Sequence, residues 1–398
     1  MPNPHTLLSS PELIARHIIE YGATVDEQPL EATALPRGGP LPAEVALGLT
    51  WPTGLEPRPH PRLPTPPQPG AALPQADYLV VTWTVAEVEA LADTLTPGVR
   101  RTAWYPYDRN FQSHYQPLIR KSAPAQRVQR LGSWFLTDIG GRSVLCFKSE
   151  LHLNQDGVRT GAGTATLPVK DLFHQLLREV KPRMVITVGT AGATFADHEL
   201  GDVIVTRAAR FRLSQEFRNE PFNDKTYRCE FDVPTRYFDD AERLMAQHAP
   251  QLGEPDFGPP TKRYAFNGPL LPGPRNSPDI KLDARDMPAF HPILTTDFFE
   301  FGTSRNGLEA VGAGVEMGDA VLGLVAEELG NTAPLWLVIR NASDPQINGD
   351  LPAEPSRLDM QAHWAVWYYE AYGYWTSVNS ALTTWAVIAG QPAPGVRH

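Results

Sequence analysis

Two short segments late in the chain hold the groups best suited to chemistry. Val315-Glu316-Met317-Gly318-Asp319 sets two carboxylates and a thioether where a helical pattern begins. Arg340-Asn341-Ala342-Ser343-Asp344 follows the apolar run 335–339, so an arginine and an acid stand where a buried strand reaches the surface. In α/β proteins the carboxyl ends of strands are where ligands bind. A third segment, Gly189-Thr190-Ala191-Gly192, closes another apolar run, 184–188. Its glycines allow backbone N–H groups close to a ligand, and Thr190 adds a hydroxyl. It reads as a strand-terminating turn.

These groups need a scaffold, and the flanking patterns supply one. Residues 78–83, 143–147, 184–188, 201–205 and 334–339 are short apolar runs of strand type. Residues 86–95, 167–180 and 316–329 carry helical periods, and 360–388 is a long aromatic-rich helix or pair of helices. Strands alternating with helices imply a mostly parallel sheet covered on both faces. Residues 206–295 show few clear periods and read as a strand-and-loop insertion. Gly161-Ala162-Gly163 has half of a dinucleotide-binding pattern, without the third glycine or a preceding strand.

Proline is the anomaly of composition, with 40 residues crowded toward the region before Gln75. Residues 57–74 read as a polyproline-like connector, and residues 10–21 as a short helix with Ser10 as N-cap. The division expected is a proline-rich extension over 1–75 that wraps the domain or aids assembly, then an α/β domain over 76–398. Hydrophobic residues at 42% of the 398 suffice for a large core. The net charge of −10 argues against nucleic-acid binding. No apolar run is long enough to span a membrane, and residues 1–10 lack a signal-peptide layout. Cys146 and Cys229 lack metal or redox spacing, so neither a disulfide framework nor a zinc site is expected. The plain reading is a cytoplasmic protein with no membrane partner.

The segments occur in a telling order: VGTAG, then LGDVIV, then VEM, then a strand ending R-x-x-S-D. Together they resemble the nucleoside phosphorylase/nucleosidase superfamily, most of all 5′-methylthioadenosine/S-adenosylhomocysteine nucleosidases and their relatives. The similarity spans roughly 77–388, apart from parts of 100–140 and 210–290. It implies a three-layer α/β sandwich around a central mixed, partly barrel-like sheet. It further implies cleavage of an N-glycosidic bond without metal or organic cofactor, on a small nucleoside or nucleotide, in a homo-oligomer.

Carried over residue by residue, Asp344 matches the acid that protonates the leaving purine. A carboxyl flanked by Leu337 and Ile339 suits that task, because apolar surroundings raise its pKa. Glu87 matches the glutamate that activates water for the oxocarbenium-like centre, with Glu89 a competing candidate. Arg340 and Thr190 match positions that help hold the nucleophile. Phe299, or its neighbour Phe298, falls where an aromatic ring stacks on the base. Met317 matches the methionine packed on the ribose, and Ala191, Gly192 and Ser343 complete the binding set.

The chain departs from the family in two places. The usual V-E-M-E supplies a second glutamate for the ribose hydroxyls; here that position is Gly318, and the acid moves to Asp319. One residue along a helix is a rotation of about 100°, so Glu316 is an alternative to Asp319. The loop Asp344-Pro345-Gln346-Ile347-Asn348-Gly349-Asp350-Leu351-Pro352 is closer to AMP nucleosidases, which act on a nucleotide. Arg101, Arg109, Arg120, Lys121 and Lys148 are the candidate phosphate ligands, and 148–154 is expected to border the pocket. The early G-D-P-x-R phosphate loop of phosphorylases is replaced by Thr82-Trp83-Thr84, which favours hydrolysis over phosphorolysis. A non-catalytic nucleoside-binding or assembly protein on the same fold is a further alternative.

Overall fold

The computed structural model describes residues 47–121, 123–251, 275–351, 353 and 360–392. The helix expected over 10–21 and the first 46 residues of the extension lie outside them. The fully buried run Tyr78–Thr82 (β1) forms the middle of a mixed sheet because nearly every side chain on both its faces is apolar. It pairs in parallel with Arg142–Ser149 (β3) and Met184–Ala193 (β4), and Gly132–Ile139 (β2) adds antiparallel to β3. Beyond β4 come Leu335–Asp344 (β11), in parallel, and Val203–Thr206 (β5), antiparallel to β11, with Ile280–Leu282 (β8) parallel to β5. Among the described residues the main sheet has 13 strands. Helix Val85–Leu95 (α1) packs with Met360–Gly390 (α5), which also lies on Phe238–His248 (α3), β4 and β11. Pro168–Val180 (α2) packs on Asp319–Leu329 (α4). The α/β class and the large mixed sheet expected from the sequence are the ones observed.

One strand creates the pocket. β4 keeps β11 on one side from Met184 to Gly192, while β1 accompanies it on the other only as far as Thr187. At Gly192 and Ala193 that second side is taken by Gly314–Glu316 (β10), running antiparallel. Ile293–Thr296 (β9), Ala208–Arg212 (β6) and Thr226–Arg228 (β7) continue the sheet outward from β10. Between β1 and β10 the backbone of β4 is left open, and the loops at the ends of these strands converge there.

Three expectations are corrected. Gly189-Thr190-Ala191-Gly192 is no turn; β4 runs on through Ala193, because pairing with β11 continues past the apolar run. Glu316 ends β10 and opens no helix, since Gly314 to Glu316 are paired with β9; α4 starts at Asp319 with Gly318 as its N-cap. The described residues of 206–295 are not an insertion but supply β6 to β9 and α3, joined by pairings between segments far apart in sequence. The glycines near Gly161 form a small separate hairpin, Arg159–Gly161 with Thr164–Ala165.

Candidate active site

Glu87 comes from the first turn of α1, where its carboxylate closes a capping box with Thr84. It does far more than cap. Its Oε2 accepts from Thr82 Oγ1 (2.9 Å), Trp83 N (3.0 Å) and Thr84 N (2.9 Å). Its Oε1 accepts from both the backbone N–H and the hydroxyl of Thr190, each at 2.8 Å. Arg340 Nη1 lies 3.7 Å away. Burial alone would raise the pKa of Glu87, but Arg340 and these N–H donors outweigh it and hold the pKa below the usual glutamate value. Gly189 is glycine for this reason. A Cβ there would overlap the Glu87 carboxylate and come within 2.6 Å of the Arg340 guanidinium.

Arg340, buried on β11, serves three acids. It forms a two-pronged pair with Asp319, Nε at 2.8 Å and Nη2 at 2.5 Å, and Nη2 also reaches Glu316 at 3.3 Å. Glu316 in turn accepts from Gly318 N (2.6 Å), Asp319 N (2.9 Å) and the Thr295 hydroxyl. Burial and the charge of Asp319 push the Glu316 pKa up, with Arg340 pulling the other way. One guanidinium thus faces three buried carboxylates, which is why burial and Asp319 prevail over it at Glu316.

Asp344 stands farther along β11, opposite Gly192. Four strand steps from Arg340 correspond to roughly 13 Å, so the two groups mark opposite ends of the cleft. Ser343 donates to its Oδ1 (3.0 Å), while Oδ2 has no protein donor among the described residues. Burial raises its pKa to about 7, and the bond from Ser343 opposes this only in part. At Gly192 a Cβ would lie 2.8 Å from Asp344 Oδ2, the movable end of that side chain.

The cleft between these ends is lined by Glu87, Thr190, Ala191, Gly192, Phe299, Glu316, Met317, Arg340, Ser343 and Asp344. Eleven site residues were named from sequence, and only Asp319 is absent from the wall, its carboxylate being turned onto Arg340. Phe299 lines the cleft and Phe298 does not. Glu89 is paired with Arg101 at 2.5 Å, away from the cleft, which leaves Glu87 as the glutamate of this helix that faces it.

The candidate phosphate ligands are elsewhere. Lys148 is buried against Glu150, Arg109 pairs with Glu179 (3.0 Å), and Arg120 pairs with Glu216. Arg120 and Lys121 border a separate surface depression. Among the described residues, Arg340 is the cation on the cleft wall. Sequence reasoning missed Trp83, Thr84 and Tyr369, which also line it. It named the segment of His152 as a border without a role. The His152 ring is buried on the wall, its pKa is lowered to about 3 by burial and by Lys148, and its Nε2 has no hydrogen-bond partner among the described residues. No signal short of the folded pairing of β1 with β3 brings Trp83 and His152 together.

No family model matches the sequence, and no curated protein is similar to it. Solved structures are. One is 5′-methylthioadenosine/S-adenosylhomocysteine nucleosidase from Neisseria meningitidis in complex with methylthio-immucillin-A: 13% identity, 79% of this chain and 100% of that one, TM-score 0.42. Another is futalosine hydrolase of Helicobacter pylori, at 10% identity, 79% and 97% coverage and a TM-score of 0.41. A third is S-adenosylhomocysteine nucleosidase from Streptococcus pyogenes in complex with 5-methylthiotubericidin, at 13% identity, 81% and 100% coverage and a TM-score of 0.41. Among the described residues no cluster of three or more His, Cys, Asp or Glu could hold a metal ion, and no helix is long and apolar enough to cross a membrane.

Proposed function

We propose that the protein hydrolyses the N-glycosidic bond of a purine nucleoside, with Asp344 as acid toward the base and Glu87 as base toward water. The observation that carries this reading is Asp344: a buried carboxyl, half uncommitted, with a pKa near neutrality and an aromatic ring, Phe299, on the same pocket wall. Protonated, it delivers its proton to a ring nitrogen of the base as the C–N bond breaks and the bonding electrons pass to the base. Water then bonds to the anomeric carbon and yields a proton to Glu87, which the low pKa keeps ionised. Arg340 and Thr190 act here by holding Glu87, both being directed at its Oε1. Glu87 then gives its proton up to solvent and Asp344 takes one from it, which resets both groups.

The charge inventory favours a nucleoside over a nucleotide, and water over phosphate. Arg340 already faces three carboxylates, so among the described residues the wall offers no uncommitted positive charge to a phosphate group. A non-catalytic binding protein is the second reading, favoured by one observation: the Glu87 carboxylate is fully hydrogen-bonded without any ligand. Incubation with purine nucleosides and nucleotides, with and without phosphate, separates the readings by the appearance of free base. Release without phosphate is expected. Release only with phosphate would identify a phosphorylase, and tight binding without release a binding protein.

A further inference from the structure

Every acidic side chain on the pocket wall has an account, and the accounts leave little for a sugar. Glu87 takes five donors, and Glu316 takes two backbone N–H groups, a hydroxyl and Arg340. Glu300 is held by two bonds from Arg212, both 2.9 Å. Asp344 lies at the end assigned to the base. Across from Glu87, Gly318 carries no side chain, and the Trp83 indole lies against it: a Cβ at 318 would stand 3.2 Å from Cζ2 and 3.4 Å from Cε2. The indole N–H is spent on the Leu151 carbonyl at 3.1 Å, and the ring lies 5.1 Å from the Arg340 guanidinium carbon. Trp83 therefore turns carbon, not a polar edge, toward the cleft.

Resting on the nucleosidase reading, we propose that this wall selects a glycosyl group without a vicinal hydroxyl pair, a 2-deoxyribosyl group, through the Trp83 ring seated on Gly318. A vicinal diol presents two adjacent O–H donors, and a carboxylate with two free oxygens is the usual match. None is free here. A hydroxyl driven against the indole face loses its water and gains no acceptor, whereas a methylene loses nothing. The His152 ring lines the cleft and its buried Nε2 has no hydrogen-bond partner among the described residues; a neutral ring accepts one hydroxyl proton, which suits a deoxysugar that keeps one ring hydroxyl.

The test separates binding from turnover by using C-nucleosides, whose carbon–carbon glycosidic bond cannot be hydrolysed. Calorimetric titration of the full chain compares ribosyl and 2-deoxyribosyl members of pairs bearing adenine-like, hypoxanthine-like and guanine-like bases. For any pair that binds, the deoxy member is expected to bind at least tenfold tighter. Equal affinity, tighter binding of the ribosyl member, or no binding by any pair overturns the proposal. In the double variant Trp83→Ala/Gly318→Glu, which restores a carboxylate and the room for it, the ratio is expected to fall to near one; in Trp83→Phe, which keeps an aromatic face, it is expected to persist. An unchanged ratio in a folded double variant also overturns the assignment. Base release from ordinary N-nucleosides is scored separately. Release with ribosyl preference sinks this inference and leaves the hydrolase reading standing; deoxy preference without release does the reverse.

Discussion

At the scale of single residues the cleft is a contrast between two carboxyls. Glu87 is buried among donors and stays ionised, while Asp344 is buried with one donor and holds its proton to about pH 7. If Asp344 is the acid, Asp344→Asn abolishes base release while the protein stays folded; retained turnover would refute the role. Base release should fall as pH rises above about 7, as the proton on Asp344 is lost. The same pKa bears on stability. Raised from the ordinary value of about 3.9, it makes ionisation a cost borne only by the folded state. That cost is absent below about pH 4, grows as pH rises toward about 7, and is constant above. Asp344→Asn should therefore melt higher than the parent at pH 8 and no higher at pH 4, measured by calorimetry. Arg340→Met strips the counter-charge from three buried carboxylates and should cost about 3–5 kcal/mol in urea denaturation.

At the scale of elements, β4 holds the two carboxyls apart. Its pairing with β11 fixes Arg340 beside Gly189 and Asp344 beside Gly192, and the departure of β1 exposes the stretch between them. Glycine stands wherever a carboxyl crosses the strand. Gly189→Ala should be severe, because the new methyl overlaps Glu87 and crowds Arg340 in a fully packed ion network. Gly192→Ala meets only Asp344 Oδ2, a side-chain end facing the cleft, so it should lower kcat with little change in Tm. Equal losses of stability in the two variants would contradict this account. The strand cores of β1, β3, β4, β5 and β11 were legible in the sequence because their apolar runs are local. The continuation of β4 past its run was not, since Gly189 to Ala193 are held in the sheet by partners distant in sequence.

At the scale of the whole molecule, the described part of the proline-rich extension is bound to the α/β body. Arg58–Pro59 pairs with the outer edge of β2, and Leu47 and Leu73 join the main core. Trp51 packs on Trp385 of α5 at 5.0 Å, and Trp385 Nε1 donates to the Leu55 carbonyl at 2.6 Å. We propose that residues 47–75 belong to the folding unit, which moves the boundary expected at 75 toward the N-terminus. A chain beginning at Leu47 should melt close to the full chain, and one beginning at Ala76 several degrees lower. Identical melting of the two would restore the boundary at 75.

The sequence by itself determined the order of elements, the polar strand end and the carboxyls worth suspecting, because apolar periodicity and residue chemistry are written locally. It named Asp344, Glu87 and Arg340 through the spacing R-x-x-S-D and a resemblance. Only the tertiary structure decided what each group is free to do. Asp319 is consumed by Arg340, Glu87 is saturated by Thr190 across the strand gap, and Trp83 occupies the space left open by Gly318. A carboxylate's capacity for a ligand is what remains after its protein donors are counted, and those donors come from segments up to 103 residues away.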